Sequence, residues 1–377
     1  MSWHRLLAVA RKEVIQILRD PRSLVIVVLM PVILMFLFGY GINLDLRHTP
    51  TYIFDREGSP QSRELASHFR SSPYFHVARE VDNYDELIAA LDAGRCKLAL
   101  VIPPDFSTQL RNGGAARVQA LVDATDDNTG NLVLGYSEAI VRDFSASVRL
   151  EWLRRAGQLR ASAPLTVEGR TWYNENLESQ AFIIPGIVAI VMAVVGAFLT
   201  SLTIAREWER GTMEQLISTP VSSLEVMLGK LIPYFAIGFF DTAVCMGMAM
   251  QWFGIPFRGS LLTLMAGSVL FLTAVLSQGF FISVVAKSQL AASQVALIST
   301  FLPAFLLSGF LFSIEQMPRA IQVFTHIIPA RYYVTLMKTV FLKGTPISYL
   351  YTELAALAVF ALLLVLLATR AFHKRLA

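Results

Sequence analysis

The chain has 377 residues, of which 54% are hydrophobic and only 16% are charged. A soluble domain carries about 25% charged residues, and here the apolar residues are concentrated in stretches of about 20 that hold almost no charge. This composition excludes a water-soluble enzyme, a disordered chain and a collagen-like chain, and it indicates a membrane protein.

The net charge of +4 is unevenly distributed along the chain. Between Leu44 and Glu178 there are 15 Lys and Arg against 19 Asp and Glu, whereas the remainder has 17 against 9. Basic residues placed beside apolar segments indicate membrane topology and argue against a nucleic-acid surface. The two cysteines, Cys96 in the polar region and Cys245 in an apolar run, predict no disulfide.

Residues 3–20 are predicted to form an amphipathic helix, which Asp20-Pro21 ends. We expect residues 1–22 to lie on the cytoplasmic surface of the membrane. The apolar stretch that follows is too long for a signal core and lacks a cleavage site, so it is expected to remain as an anchor. The predicted apolar face of the helix consists of Leu6, Ala10, Val14 and Ile17.

Six apolar segments are long enough to cross a bilayer. They run approximately over Ser23–Ile42, Phe182–Ile204, Val226–Met250, Leu261–Val285, Leu290–Phe312 and Tyr351–Thr369. Five basic residues precede the first segment, and Arg370, Lys374 and Arg375 follow the last. The positive-inside rule therefore places both termini in the cytoplasm. The predicted fold class is an α-helical polytopic membrane protein with six transmembrane helices and an inserted α/β extracytoplasmic domain.

The inserted domain is expected to occupy residues 44–178, after a first transmembrane helix at 23–43. The remaining helices occupy 179–377, with a cytoplasmic loop at 205–222. Strands alternate with helices in the insertion, in the order β-α-β-α-β-α-β, and a long helical pattern follows at about 130–157. The predicted strands are Thr51–Asp55, Tyr74–Arg79, Cys96–Ile102 and Arg117–Val122.

The segment 313–345 is apolar but is interrupted by Pro318 and Pro329, with Pro346 directly after it. By the topology above it lies on the outer side. We expect short helices that dip into the outer leaflet, because irregular backbone is tolerated at that depth only where protein covers it.

No motif for catalysis or nucleotide binding is present. The chain lacks H-E-x-x-H, C-x-x-C, G-x-S-x-G and Walker A patterns, and Gly229-Lys230 is followed by leucine without an upstream glycine at the required spacing. We therefore expect no catalytic residue, no metal site and no cofactor in this chain. Energy for active transport would have to come from an ion gradient or from another subunit.

The loop between the second and third spans is the most informative segment. Two capping boxes, Thr212-x-x-Gln215 and Ser222-x-x-Glu225, predict a short helix that ends near Thr219 because Pro220 disfavours helical geometry before it. A short charged helix held between two spans suits a contact that transmits force. A plain solvated loop held by its caps fits the same pattern.

The residues of this loop resemble the permease subunit of type-2 ATP-binding cassette exporters. The matching run is Arg206–Pro220, followed by Gly229-Lys230-Leu231-Ile232-Pro233-Tyr234, and the nearest resemblance is to the multidrug-type branch with a large extracytoplasmic domain after the first span. Further matching segments occur in the right order over essentially the full chain. They are Arg19-Asp20-Pro21-Arg22, Trp172-Tyr173-Asn174, Leu307-Ser308-Gly309-Phe310, Gln316-Met317-Pro318 and Lys343-Gly344.

The resemblance implies a function as well as a fold. The loop 206–220 corresponds to the coupling helix that docks onto a separate P-loop ATPase, which binds ATP and magnesium, and 313–345 corresponds to outer re-entrant helices. Two permease copies, or one copy and a close paralogue, would form a dimer in a bacterial inner membrane and export a hydrophobic or amphiphilic substrate. A periplasmic adaptor is a further partner that the resemblance leaves open. The candidate ATPase contacts are Glu207, Glu209, Arg210, Thr212, Glu214 and Gln215.

Two charged residues inside the spans have more than one interpretation. Asp241 lies near the middle of the third predicted span, where a charge costs about 3 kcal/mol or more, and it departs from the family pattern. It is either a carboxylate of the transport pathway, binding a cation or titrating, or a protonated acid that hydrogen-bonds a neighbouring helix. Lys230 is interpreted as a snorkelling anchor at the cytoplasmic end of the span, with support of the coupling helix as the alternative.

Other functions fit the sequence less well. A membrane-anchored receptor with an extracytoplasmic ligand-binding domain would need a cytoplasmic output module, and no long cytoplasmic segment is predicted. An intramembrane hydrolase would need a catalytic constellation. A gradient-driven transporter usually shows repeated halves, which are not found around the single large insertion.

Overall fold

The computed structural model describes residues 2–42, 48–112, 116–125, 127–155 and 179–372. The chain divides into two compact units. The first combines Met1–Asn43 with Thr171–Ala377, and the second is Leu44–Arg170.

The chain begins with two helices of the first unit, α1 (Trp3–Leu18) and α2 (Pro21–Gly41). Helix α1 is amphipathic as predicted, but its buried face differs from the prediction by one residue. Val14 is 42% exposed, and Glu13 is buried in its place. Glu13 lies seven residues after Leu6, so the helical period puts it on the inner face, and the charge is accepted there because a lysine pairs with it. The buried face consists of Leu6, Ala10, Glu13 and Ile17.

The second unit is an α/β fold with the predicted alternation of elements. Its four-stranded sheet has the order β2-β1-β3-β4, with β1 parallel to both neighbours and β4 antiparallel to β3. Every residue of β3 is buried, because helices cover both faces of the sheet. In chain order the elements are β1 (Thr49–Asp55), α3 (Pro60–Ser71), β2 (Phe75–Glu80), α4 (Tyr84–Asp92), β3 (Leu98–Ile102), α5 (Phe106–Arg111), β4 (Gln119–Val122) and α6 (Asp127–Arg155).

The helices of the first unit resume after the second. Five helical segments of the described chain are long and apolar enough to cross a membrane, by length and composition. These are α7 (Ser179–Glu209), α9 (Ser223–Gln251), α10 (Leu261–Ala286), the continuous run of α11 (Gln289–Ala296) through a π-helical turn into α12 (Leu302–Leu307), and α15 (Tyr351–Ala371); the short helix α8 (Met213–Ser218) lies between α7 and α9. Helix α2 is apolar too, and its apolar stretch at Val27–Gly41 is shorter than those of the five helices above.

The fifth predicted span is wrong at its C-terminal end. The helix ends at Leu307 and not at Phe312, since the chain turns at Gly309, which has a φ of +79°. After this turn come the short helices α13 (Arg319–Thr325) and α14 (Pro329–Lys338), the latter extended by a π-helical turn to Lys343. Short helices in this segment agree with the prediction.

Helix α7 is the centre of the first unit. It packs against α2, α9, α10, α11 and α14, and all residues from Ile183 to Ala197 are buried. Its closest neighbour is α10. A Cβ atom at Gly279 would lie 2.5 Å from the carbonyl oxygen of Ala197, so only glycine permits this approach of the two backbones.

Candidate functional site

The segment between α7 and α9 forms the predicted short helix, α8. The chain leaves α7 at Glu209, turns through Gly211 with a φ of +67°, and enters α8 at Met213. Thr219 is extended and ends α8, as expected before Pro220. The segment is therefore a six-residue helix with a tight turn at each end.

Of the two predicted capping boxes, one is confirmed and one is wrong. The side chain of Ser222 accepts a hydrogen bond from the amide of Glu225, whose carboxylate accepts from the amide of Ser222 at 2.8 Å. Thr212 precedes α8 but makes no side-chain cap. Its hydroxyl donates to Oε2 of Glu207 instead, because a charged acceptor is the stronger partner.

The N-terminal helix α1 holds the far end of this segment. The amide of Ser2 donates to Oε1 of Glu225 at 2.5 Å, and Nη1 of Arg5 donates to the carbonyl of Pro220 at 2.5 Å. Below these contacts, α1 packs directly on α9. A Cβ atom at Gly229 would lie 2.8 Å from Cβ of Val9, so α1 sits as close as glycine allows.

A cluster of charged side chains, buried except for Lys12, lies beneath the segment and joins three helices. Nζ of Lys230 on α9 lies 2.9 Å from Oε2 of Glu13 on α1 and 3.2 Å from Oε1 of Glu207 on α7. The hydroxyl of Tyr234 donates to the other oxygen of Glu13 at 3.0 Å. Nζ of Lys12 lies 2.9 Å from Oε1 of Glu207. Two lysines thus balance two carboxylates, and we refer to these four charged residues with Tyr234 as the Lys230 cluster.

This geometry shows that the snorkelling interpretation of Lys230 is wrong. The side chain is 1% exposed and ends between two carboxylates, so its charge is neutralised inside the protein and not at the membrane surface. The alternative, support of the segment that carries α8, agrees with the contact to Glu207.

A second set of polar contacts ties the end of α7 to α11 and to the corner between α1 and α2. Nη2 of Arg206 lies 3.2 Å from Oδ2 of Asp20, and its Nε donates to Oε1 of Gln289 at 3.3 Å. The backbone amide of Gln289 in turn donates to Oε1 of Glu209 at 2.7 Å. The base of the α8 segment therefore contacts α1, α9, α11 and the corner between α1 and α2.

The structure places the six candidate contact residues in two different environments. Glu207 is buried within the Lys230 cluster, which does not suit a residue that faces another protein. Thr212 is half-buried and turned toward Glu207. Glu209 is exposed but bonded to Gln289. The remaining three are exposed on or beside α8 and are Arg210, Glu214 and Gln215.

Asp241 lies apart from this segment, within α9. It is 1% exposed, and within the described chain its Oδ2 atom has no hydrogen-bond partner. One helical turn further on lies Cys245, which is also buried. The described residues contain no group of three or more His, Cys, Asp and Glu side chains placed to hold a metal ion.

Sequence reasoning missed Glu13, Tyr234 and Gln289. The spacing of Glu13 from Leu6, Ala10 and Ile17 could have revealed it, because this spacing places a charged residue on the same helix face as buried apolar residues. For Gln289 no local signal exists, because its partners Arg206 and Glu209 are about 80 positions away along the chain.

The matching motif Leu307-Ser308-Gly309-Phe310 is held by Lys338 of α14, which precedes the motif Lys343-Gly344. Nζ of Lys338 donates to the carbonyl of Gly309 at 2.7 Å and lies 3.2 Å above the ring centre of Phe182 on α7. Gly344 takes a φ of +64° where the π-helical turn ends. The motif Trp172-Tyr173-Asn174 lies outside the described residues.

Comparison with known proteins agrees with this architecture. Residues 22–370 match the sequence pattern of the family described as "ABC-2 family transporter protein". The "Probable multidrug ABC transporter permease YbhS" of Escherichia coli K12 is 43% identical over 346 residues, which is 91% of this chain and 90% of that protein.

Two further relatives from the same organism are more distant. The "Probable multidrug ABC transporter permease YbhR" is 29% identical over 361 residues, 95% of each chain. The "Inner membrane transport permease YhhJ" is 27% identical over 352 residues, 92% of this chain and 91% of that protein. With five apolar helices of spanning length and a family match over nearly its whole length, the chain is a multi-pass membrane permease that belongs to the ABC-2 family of transporter proteins.

Proposed function

We propose that this chain is the membrane permease subunit of an ATP-binding cassette exporter, powered by a separate P-loop ATPase that docks on the loop 206–220. The observation that carries the proposal is the set of polar contacts that hold this loop to α1 and α9. The six-residue helix α8, with exposed Glu214 and Gln215, and the exposed Arg210 before it are connected through Glu207 to the Lys230 cluster. Family membership supports the same function, because an ABC-2 permease implies an ATPase partner.

Transmission of force follows from these contacts. When the ATPase closes on its nucleotides, it would push on α8, and the ion pairs of Glu207 would pass the displacement to α1 and α9. Arg206 would pass it to α11 through Gln289. Rigid helices tied at one end rock as bodies, which is the expected motion of alternating access.

We place the chain in a bacterial inner membrane with six transmembrane helices, α2 being the first. Both termini and α8 are then cytoplasmic, and the α/β unit is extracytoplasmic. The basic residues that precede α2 and follow α15 support this orientation. A dimer of two copies, or of one copy and a paralogue, would form the pathway between the subunits.

The substrate is proposed to be hydrophobic or amphiphilic, either drug-like or lipid-like. An apolar cavity of about 460 Å³ in the first unit supports this class, since small-molecule sites usually measure about 300–1,000 Å³. Its wall includes Phe271, Phe281, Phe324 and Phe360, and its polar side chains are Gln278, Ser299 and Thr300.

Asp241 is proposed as a carboxylate of the transport pathway. Burial without a partner for Oδ2 within the described chain supports a role beyond packing, because an unpaired polar atom in a membrane helix costs several kcal/mol (about 2–4) and offers no stability in return. Replacing Asp241 by Asn should reduce export of cationic substrates while export of neutral ones is retained. Equal export of both by the variant, at every pH tested, would remove Asp241 from the pathway.

Co-purification tests the proposed function. The tagged chain is extracted from its native membrane in a mild detergent, and the bound proteins are identified by mass spectrometry. A P-loop ATPase is expected with the wild-type chain, and much less of it with the variant Arg210→Glu, Glu214→Lys at equal chain yield. Absence of any ATPase from the wild-type eluate would contradict the proposal.

A further inference from the structure

A second cavity of the first unit, of about 770 Å³, lies beside the end of α7 that leads into α8. Four of its lining residues are basic: Lys12 and Arg19 of α1 and its end, Arg206 of α7, and Arg210 just after it. A single lining residue, Asp20, is acidic. The lining therefore carries an excess of three positive charges.

Two of these cations have no carboxylate partner among the residues that the structure describes. Lys12 pairs with Glu207, and Arg206 pairs with Asp20. Arg19 and Arg210 pair with no carboxylate in the part of the chain that the structure describes, and both are exposed. Guanidinium groups bind phosphate through two parallel hydrogen bonds, so a pair of free arginines at one cavity suits a phosphate-bearing ligand.

The wall of the same cavity changes from apolar to basic along one stripe of α7. Phe198, Leu202 and Arg206 follow one another at intervals of four residues, and Arg210 comes four residues later. Phe198 and Leu202 are partly exposed, whereas their neighbours Leu199, Thr200, Ser201 and Thr203 are buried. An occupant would therefore meet hydrocarbon at one end of the cavity and cations at the other.

We propose that this cavity is a binding site for an anionic phospholipid, with the phosphate between Arg19 and Arg210 and an acyl chain along Phe198 and Leu202. Basic pockets between transmembrane helices are suited to such headgroups. Lys12 and Arg206 line this cavity and also form ion pairs beneath α8, with Glu207 and Asp20. A lipid bound in the cavity would therefore contact the base of the segment that carries α8. The proposal depends only on the geometry of the first unit, and it holds whether or not the chain transports anything.

The test measures lipid affinity of the purified full chain in a neutral detergent. Phosphatidylglycerol and phosphatidylcholine with identical acyl chains are titrated, and bound lipid is counted by native mass spectrometry. We expect at least about tenfold preference for phosphatidylglycerol, since each basic side chain near a headgroup is worth about fivefold in affinity.

Paired variants locate the site. The double variant Arg19→Gln, Arg210→Gln should weaken phosphatidylglycerol binding about 25-fold. The matched control is Arg11→Gln, Arg370→Gln, which removes two exposed cations that do not line the cavity and should change the affinity less than about twofold. Equal losses from the two pairs would show diffuse surface attraction and would overturn the proposal.

Two further measurements distinguish the contribution of the lipid headgroup to binding from that of the acyl chain. Phe198→Ala, Leu202→Ala should weaken phosphatidylglycerol binding about tenfold while leaving binding of glycerol phosphate unchanged. If glycerol phosphate binds as tightly as the lipid, the cavity is a site for a free phosphate ester, which would contradict the proposal.

A lysine variant covers the case in which the glutamine variant fails to fold. Arg19→Lys, Arg210→Lys keeps both charges and should retain the preference for the anionic lipid. Loss of that preference in a folded lysine variant would also overturn the proposal.

Discussion

Lys230 lies between the carboxylates of Glu13 and Glu207 with almost no exposure to solvent. Removing such charges from water costs several kcal/mol per ion, on the order of the attraction that they regain, so a buried pair adds little net stability. The ion pairs instead fix the positions of α1, α7 and α9 relative to one another. Every charged group in the Lys230 cluster has a partner on another helix, and any displacement of one helix leaves a charge unpaired.

Replacing Lys230 by Met should therefore be severely destabilising. Glu207 would keep Lys12, but Glu13 would remain buried with no ion-pair partner among the described residues. The loss should be about 3–5 kcal/mol of the free energy of unfolding. Thermal denaturation in detergent measures it. Lys287→Met is the matched control, since that side chain is exposed and lies 5.0 Å above the ring of Trp208, and it should cost less than about 1 kcal/mol.

The double variant Lys230→Met, Glu13→Gln should recover part of this loss, because it removes one charge of each sign. A double-mutant cycle gives the coupling energy of the pair, which we expect to reach at least about 1 kcal/mol. Losses of the two single variants that simply add up would mean that the two side chains do not interact.

In the second unit, Glu57 forms a comparable contact near the surface. Its carboxylate accepts hydrogen bonds from the hydroxyl of Ser59 at 2.6 Å and from the amide and hydroxyl of Ser107 at 2.9 and 2.7 Å. Burial raises the pKa of Glu57, but these hydrogen bonds outweigh burial and leave the pKa below its ordinary value of 4.5. The bonds join the turn after β1 to the start of α5.

The depressed pKa of Glu57 predicts a dependence on pH. The contact stabilises α5 fully above the unfolded pKa of about 4.5, and the stabilisation is lost as pH falls through the lower pKa of the folded state. Hydrogen exchange of peptides that cover Phe106–Arg111, corrected for intrinsic rates, should show protection decreasing below about pH 4.5. In Glu57→Gln the protection should be lower at neutral pH and should not change over that range. A variant with the wild-type profile would contradict this role.

At the scale of elements, the fit of α1 onto α9 depends on a residue without a side chain. A Cβ atom at Gly229 would lie 2.8 Å from Cβ of Val9 and 3.0 Å from the carbonyl oxygen of Leu6. Gly247 lies on the same helix, where an added Cβ would have no heavy atom within 4 Å. The two glycines thus form a natural pair of test and control positions.

Gly229→Ala should lower stability by about 1–3 kcal/mol, because α1 has to move away from α9. Gly247→Ala should raise stability by up to about 1 kcal/mol through helix propensity. Thermal denaturation midpoints compare the two, and proteolysis of the N-terminus reports whether α1 has left its site. Equal effects of the two variants would show that α1 does not pack as described.

The elements with a strong local signal were predictable from the sequence. The apolar helices, the alternation of strands and helices in the second unit, and the cap at Ser222 all follow from periodicity or short-range spacing. The errors occur where a distant partner decides. Val14 is expected on the buried face because it is apolar and fits the helical spacing from Leu6. Glu13 takes that place because the lysine of α9, 217 positions away, pairs with its charge.

The same cause explains the wrong prediction at Thr212. Its spacing to Gln215 fits a capping box, but the hydroxyl donates to the carboxylate of Glu207, which a nearby spacing rule does not anticipate. The end of the fifth span was placed too late because Phe310 and Leu311 are apolar. The turn at Gly309 is held by Lys338, which lies 29 positions further along the chain.

At the scale of the whole molecule, a few polar contacts join the segment that carries α8 to α1, α9, α11 and the corner before α2. The base of this segment is buried, whereas α8 itself is mostly exposed. Force applied to α8 would therefore reach the first unit through these contacts. A charge reversal on α8 should therefore change coupling and leave folding unaffected.

Glu214→Lys should weaken ATPase docking at least tenfold, since like charges facing each other across an interface cost several kcal/mol (about 2–4). Stimulation of ATP hydrolysis by substrate should decrease to the same extent in reconstituted vesicles, while membrane insertion and thermal stability stay at the wild-type level. The control is Glu315→Lys, a reversal at another exposed glutamate in the segment assigned to the outer side, which should leave stimulation unchanged. Wild-type transport by Glu214→Lys would remove this residue from the contact.

Site-specific crosslinking in native membranes tests the central claim most directly. A photoreactive amino acid is introduced at Glu214 on α8 and, in a separate chain, at Tyr349, which is 73% exposed and assigned to the outer side. We expect a crosslink to a P-loop ATPase from position 214 and none from position 349. No ATPase crosslink at position 214, or equal crosslinks at both positions, would contradict the claim that a separate ATPase docks on this loop.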